Sequence, residues 1–221
     1  MKTKKVMVKV CGLQRKSDLL YAVKLGVDAL GFILADSPRQ VSIKKVKKIT
    51  TGLPPFVIRV AVVVNPSQEK LIEIIESQLF DYIQFHGQED PDLLRKVPLK
   101  TIKAIPVAKS SDLKLVDQYR EAADYLLFDT KAGQQTGGTG KTFNWQLLAQ
   151  QEFEQPFILA GGLGADNIET ALQQVKPAAV DINSKIETSP GIKSNRLLEQ
   201  VITKIRNFQV EKSGKLKLKF I

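Results

Sequence analysis

The chain has 221 residues, with 33 basic and 23 acidic side chains, a net charge of +10, one cysteine and one histidine. Those last two counts exclude an internal disulfide, a Cys-based zinc or iron–sulfur cage, and His-rich metal centres. With 43% apolar and 25% charged residues the composition is that of a globular protein large enough to bury a core unaided. No run of 18 apolar residues marks a membrane span, and Lys9 breaks the short apolar run Val6–Val10 that follows the basic start, so no signal peptide is read and a cytoplasmic location is expected. The positive excess sits in three lysine clusters: Lys2, Lys4, Lys5 and Lys9; Lys44, Lys45, Lys47 and Lys48; and Lys212, Lys215, Lys217 and Lys219. Arginines and aromatics are not interleaved with them, so solvated surface is expected rather than a nucleic-acid interface.

Along the chain, short apolar runs alternate with helical stretches. The expected strands are Val6–Val10, Ala29–Leu34, Val57–Val64, Tyr82–Phe85, Lys100–Ile105, Tyr125–Asp129, Pro156–Ala160 and Ala179–Ile182. Their near-continuous Val, Ile, Leu and Phe content suits strands buried on both faces. Between them, Asp18–Leu25 gathers Leu19, Leu20, Ala22 and Val23 on one face. Ser67 caps a run carrying Leu71, Ile74, Ile75 and Leu79 at helical spacing. Asp166-Asn167 and Ser194-Asn195 open two further amphipathic runs. Eight strands and about eight helices, at about 26 residues per unit, predict a lean single-domain α/β (βα)8 TIM barrel. A doubly wound sheet is disfavoured because no Gly-x-Gly-x-x-Gly follows the first strand. The domain is placed at residues 1–208, with a basic tail at 209–221 read as a frayed end in preference to a short edge strand.

In such a barrel the chemistry sits just after each strand. Strand one ends in Cys11-Gly12, where Gly12 lets a ligand approach the backbone. The second unit puts Arg39 on a Pro-stiffened loop, its planar fork suited to a carboxylate or phosphate. Strand four ends at His86, able to act as a base or to orient neighbours. Strand six closes on Asp129, where burial favours a protonated general acid. The following stretch, residues 133–142, reads as a Gly-rich mouth loop and not a P-loop, because that motif needs glycine where Gln135 stands. Strands seven and eight end in Gly161-Gly162 and Asn183-Ser184, the place and chemistry of a barrel phosphate site. From the residues alone the expectation is a barrel enzyme acting on a phosphorylated small molecule.

The motifs Lys9-Val10-Cys11-Gly12, Ser37-Pro38-Arg39, Gln84-Phe85-His86-Gly87, Asp129-Thr130, Gly137-Gly138-Thr139-Gly140, Leu159-Ala160-Gly161-Gly162-Leu163 and Val180-Asp181-Ile182-Asn183-Ser184, in this order, resemble those of the phosphoribosylanthranilate isomerases of tryptophan biosynthesis. The resemblance runs from about Val8 to Phe208. It implies a cofactor-free, metal-free Amadori rearrangement by an aldose–ketose isomerase. It implies Cys11 as general base and Asp129 as general acid. Arg39 would meet the anthranilate end, Gly161, Gly162, Asn183 and Ser184 the phosphate, and His86 would play a supporting part in substrate binding. Lys185 stands where many relatives carry glycine, and either adds charge to the phosphate or points to solvent. A monomer or homodimer is expected. An indole-glycerol-phosphate-synthase-like barrel, which would need a catalytic lysine at a strand end, is the nearest alternative. Lys9 shares a face with Cys11 and so remains available for that role. A non-enzymatic basic binding protein is the remaining one.

Overall fold

The computed structural model describes residues 5–132, 135–136 and 142–217. Eight parallel strands form a closed barrel: β1 (Met7–Val10), β2 (Ala29–Ile33), β3 (Ile58–Val63), β4 (Tyr82–Phe85), β5 (Lys100–Val107), β6 (Tyr125–Ala132), β7 (Phe157–Leu159) and β8 (Ala179–Ile182). Each strand pairs in parallel with the next in sequence, and β8 closes on β1. The eight expected strands are therefore all present, with ends moved by a few residues.

The helices between them are α1 (Lys16–Lys24), α2 (Ile43–Thr50), α3 (Gln68–Glu76), α4 (Pro91–Lys96), α5 (Leu115–Tyr119), α6 (Gln146–Ala149), α7 (Ile168–Val175) and α8 (Asn195–Lys217). Local chemistry sets several starts. Ser42 accepts from Lys45 N and Ser67 from Lys70 N, each taking up an amide that the first turn cannot satisfy. Asp90 caps α4 with Pro91 at its first position, where the missing N–H costs nothing. Lys44, Lys45, Lys47 and Lys48 all lie on the exposed face of α2, while Val46, Ile49 and Thr50 face the barrel.

Two separate apolar clusters result. Val10, Leu30, Phe32, Ala61, Val63, Ile83, Phe85, Leu126 and Phe128 point outward and pack under the helices. Cys11, Ala29, Val60, Val62, Ile102, Ala104, Leu127, Ile158 and Ala160 point inward and fill the barrel. The second set is rich in small and β-branched residues, which leaves room for polar groups among them.

One reading changes. Helix α8 runs on through Lys217, so the stretch from Gln209 does not fray at once, and no proline interrupts it. Residues 218–221 lie outside the described residues, as do 1–4. Phe143, Asn144 and Trp145 precede α6, with Trp145 as its N-terminal flank. Most of the Gly-rich loop, residues 133–134 and 137–141, including the Gly137–Gly140 motif, lies outside the described residues. Gln135–Thr136 forms a short antiparallel pair with Lys131–Ala132.

Candidate active site

At the C-terminal mouth of the barrel is a cavity of about 400 Å³. Cys11, Arg39, His86, Asp129, Gly161, Gly162, Asn183 and Ser184, the eight residues singled out in the sequence, all line it. They come from the ends of six different units, so only the closed barrel brings them together.

Cys11 follows β1 and is buried, with Gly31 close against it: a Cβ on Gly31 would lie 2.8 Å from Sγ. Burial pushes its thiol pKa up, against the opposing pull of the Lys9 and Lys193 charges. The resting group is therefore the thiol, and the thiolate expected of a base must be formed against desolvation. Gly12 next to it has φ +70°, and a side chain there would meet Arg39 and Asn183, so glycine is needed both for conformation and for space.

Asp129 sits across the cavity at the end of the regular β6–β5 pairing. Its Oδ1 accepts from Thr130 N at 2.7 Å, and its Oδ2 lies 3.3 Å from His86 Nε2. His86 Nδ1 is in turn 3.0 Å from Gln84 Nε2. Gln84 at one ring nitrogen and Asp129 at the other fix the orientation of the imidazole. His86 thus has the geometry of an orienting group for the carboxylate. Below it, Glu89 fixes the loop: Oε1 accepts from Asn65 N and Gly87 N, and Oε2 pairs with Lys103 at 2.6 Å in full burial.

Arg39 reaches the cavity, but the Nε–Nη2 edge of its guanidinium is held by Glu187, Nη2 to Oε2 at 2.7 Å. Glu187 Oε1 also pairs with Lys193 at 2.7 Å, and Lys193 reaches Asn183 Oδ1 at the same distance. Burial alone would raise the Glu187 carboxyl, but the two cations hold it below the usual range. Two positive charges thus share one negative partner, which leaves the corner positive toward the cavity.

Gly161 and Gly162 have φ +86° and +63°, left-handed values that glycine adopts without strain. The turn is locked from behind by Asn167, which donates to Gly162 O and accepts from Gly164 N, both at 2.9 Å. Asn183 leads into a 3₁₀ turn at Ser184–Ile186, whose first amides have no earlier carbonyl within the turn. Lys185 pairs with Asp166 at 3.0 Å, and its backbone is not in the left-handed region, so a side chain at this position costs no strain.

The sequence alone assigned no role to Asp181, Gln84, Glu187 or Lys193, and weighed Lys9 only as the catalytic lysine of a synthase-like alternative. A signal was present: Lys9, Gln84 and Asp181 are polar positions inside otherwise apolar strands, two residues before Cys11, His86 and Asn183 and hence on the same inward face. Among the described residues no cluster of three His, Cys, Asp or Glu side chains is arranged to hold a metal.

Comparison with known proteins bears on this geometry. The family model described as N-(5'-phosphoribosyl)anthranilate (PRA) isomerase matches residues 8–204. The N-(5'-phosphoribosyl)anthranilate isomerase of Petrotoga mobilis is 49% identical over 206 residues, covering 93% of this chain and all of the relative. The crystal structure of phosphoribosyl anthranilate isomerase from Thermotoga maritima superposes with a TM-score of 0.85 at 35% identity, covering 91% of this chain and 99% of that one. A second isomerase structure, in complex with reduced 1-(o-carboxyphenylamino)-1-deoxyribulose 5-phosphate, gives 0.81 at 32% identity over 91% and 99%.

Proposed function

The chain belongs to the N-(5'-phosphoribosyl)anthranilate isomerase family, and on that premise we propose a division of labour among its site residues. The protein is an isomerase of tryptophan biosynthesis. It converts N-(5-phosphoribosyl)anthranilate to 1-(2-carboxyphenylamino)-1-deoxyribulose 5-phosphate by an Amadori rearrangement. The observation that carries the assignment of roles is that Cys11 and Asp129 face one cavity whose rim holds both a glycine phosphate turn and a positive corner.

The phosphate lies against Gly161-Gly162 and Asn183-Ser184, where backbone N–H groups and side-chain donors meet an anion without needing a dedicated cation. The anthranilate carboxylate faces Arg39. Glu187 leaves the second edge of the guanidinium fork, at Nη1, for that contact. Asp129, oriented by His86 and the Thr130 amide, gives a proton to the furanose ring oxygen, and the ring opens to a Schiff base. Cys11 then removes the C2 proton. The C2–H electron pair forms the C1–C2 double bond while the C1–N π pair returns to nitrogen, giving an enolamine that tautomerises to the ketone. The imine accepts the electron pair itself, so neither metal nor organic cofactor enters the scheme. The barrel domain, placed at residues 1–208, carries all of these groups.

The partner is a small phosphorylated molecule. No helix among the described residues is long and apolar enough to cross a membrane, and we place the enzyme in the cytoplasm, as a monomer or homodimer. The test is direct. Purified protein consumes phosphoribosylanthranilate in the presence of a chelator, and the product spectrum is that of the carboxyphenylamino ketose rather than an indole. Loss of turnover on chelation, or an indole product, rejects the assignment.

A further inference from the structure

Asp181 lines the cavity, Lys9 pairs with it inside the barrel, and neither has a part in the reaction as written above. Lys9 is two residues before Cys11 on β1, so both side chains point into the barrel. It is in register with Asp181 of β8, and Lys9 Nζ lies 2.6 Å from Asp181 Oδ2. The two side chains are 4% and 7% exposed. Asp181 Oδ1 has no hydrogen-bond partner among the described residues. A buried ion pair of this kind contributes little net stability relative to apolar residues of the same volume, so its presence asks for another use.

That use is the charge at Cys11. We propose that Lys9 is a positioning residue for the isomerisation: its ammonium, tethered by Asp181, stabilises the negative charge on Cys11 Sγ in the enzyme form that takes the C2 proton. The proposal rests on the reading of Cys11 as the base. The charged groups facing Cys11 come from every wall of the site. Asp181 of β8 opposes the thiolate. Lys193 favours it, but that ammonium is bound by Glu187 and Asn183. Arg39 is likewise held by Glu187. Asp129 and His86 lie on the β6 and β4 side of the same cavity. Lys9 acts most strongly of the cations, and its own proton is secure: burial disfavours the ammonium, but Asp181 and Cys11 together raise its pKa above the ordinary value.

Cys11 is the only cysteine of the chain, so alkylation of the full-length protein by iodoacetamide reads its thiolate without substrate or turnover. In Lys9→Met the alkylation midpoint moves up by about one pH unit, and the rate at a fixed pH below it falls about tenfold. In Asp181→Asn the midpoint moves down, because the opposing charge is gone. A barrel that had merely loosened would expose the thiol and move both midpoints down, toward an ordinary cysteine. A downward shift or no shift in Lys9→Met therefore overturns the proposal. Lys9→Met leaves Asp181 buried without its counterion, so the double variant Lys9→Met with Asp181→Asn serves as the folded control. A midpoint above wild type in the double variant supports the proposal, and one at or below wild type overturns it. The base reading is judged separately by turnover. If Cys11→Ala keeps near-normal rates, the reading of Cys11 as base fails and the catalytic role of Lys9 fails with it, while the alkylation shifts still report the Lys9–Cys11 coupling.

Discussion

Glu187 grips Arg39 edge-on, with Nη2 to Oε2 at 2.7 Å and Nε to the same oxygen at 3.0 Å. Its other oxygen holds Lys193, whose side chain is completely buried. One carboxylate therefore orients two cations, and the surplus positive charge is what an anionic substrate end meets. In Glu187→Gln, Lys193 is left as a buried charge without a counterion, and breaking such a pair costs roughly 3–5 kcal/mol of stability. Urea unfolding will show a lower midpoint with little change in slope. Arg39 also loses its orientation, so KM rises more than kcat falls. A variant as stable as wild type with unchanged KM would remove Glu187 from this role.

Substituting the two proposed proton-transfer groups gives a different signature. Cys11→Ala and Asp129→Asn each lower kcat by roughly 10²- to 10⁴-fold, the range for loss of a positioned acid or base. Both side chains are small and sit at the cavity surface, so thermal stability changes little. Steady-state kinetics beside thermal melts decide this. Near-normal kcat in either variant reassigns the role.

The pH dependence follows from burial of Cys11, which raises its pKa above the ordinary thiol value. A base must be deprotonated to act, so kcat/KM in the free enzyme rises with pH until that raised midpoint is reached, about tenfold per unit. Stability runs the other way. Above the ordinary thiol range the unfolded chain has lost the Cys11 proton while the folded one keeps it. The unfolded state then binds fewer protons, and stability falls as pH rises between the unfolded and folded values. Cys11→Ala abolishes that share of the alkaline decline, measured by chemical denaturation at several pH values.

The barrel was legible in the sequence because each strand is a short run of apolar residues closed by a turn, and because the helices carry caps such as Ser67 and one-sided apolar faces. The site was legible at strand ends, where Cys11, His86 and Asp129 stand as lone chemically active residues. What supports those residues was harder to read. Glu187 and Lys193 lie in a short antiparallel pair after β8, and the Arg39 that Glu187 holds is 148 positions away in the chain, a distance no local pattern spans. Lys103 shows the same limit from the other side. It faces outward from β5, where an apolar residue is expected under the helices, and only the fold reveals Glu89 waiting for it. The raised thiol pKa of Cys11 could not be read either, since desolvation depends on residues from several strands at once.

The Lys103–Glu89 pair yields a prediction about the loop that carries His86. Lys103 Nζ binds Glu89 Oε2 and Gly87 O, both at 2.6 Å, and lies 4.9 Å from the centre of the Tyr119 ring. Glu89 Oε1 holds the amides of Asn65 and Gly87. Removing Lys103 alone leaves a buried carboxylate, so Lys103→Met destabilises by roughly 3–5 kcal/mol. Removing both charges in Lys103→Met with Glu89→Gln costs less than the sum of the two single changes, because each single change strands the other charge. Chemical denaturation of the four proteins closes this cycle.

The last prediction concerns Gly161. Its φ of +86° lies in the left-handed region, and a Cβ there would run into Thr130 Oγ1 and lie 2.6 Å from the Thr130 backbone nitrogen. Backbone cannot yield as a flexible side chain can, so Gly161→Ala must displace either the phosphate turn or the strand end that carries Asp129. Displacing the turn weakens phosphate binding and raises KM. Displacing Asp129, whose Oδ1 would be 3.0 Å from the new methyl, lowers kcat as well, since small errors in the position of a proton donor are costly. Kinetics with inorganic phosphate as a competitive inhibitor separate the two. A raised inhibition constant with normal kcat places the disturbance in the turn, and a lowered kcat with unchanged inhibition places it at Asp129. If neither changes, the two glycines after β7 do not form the phosphate site.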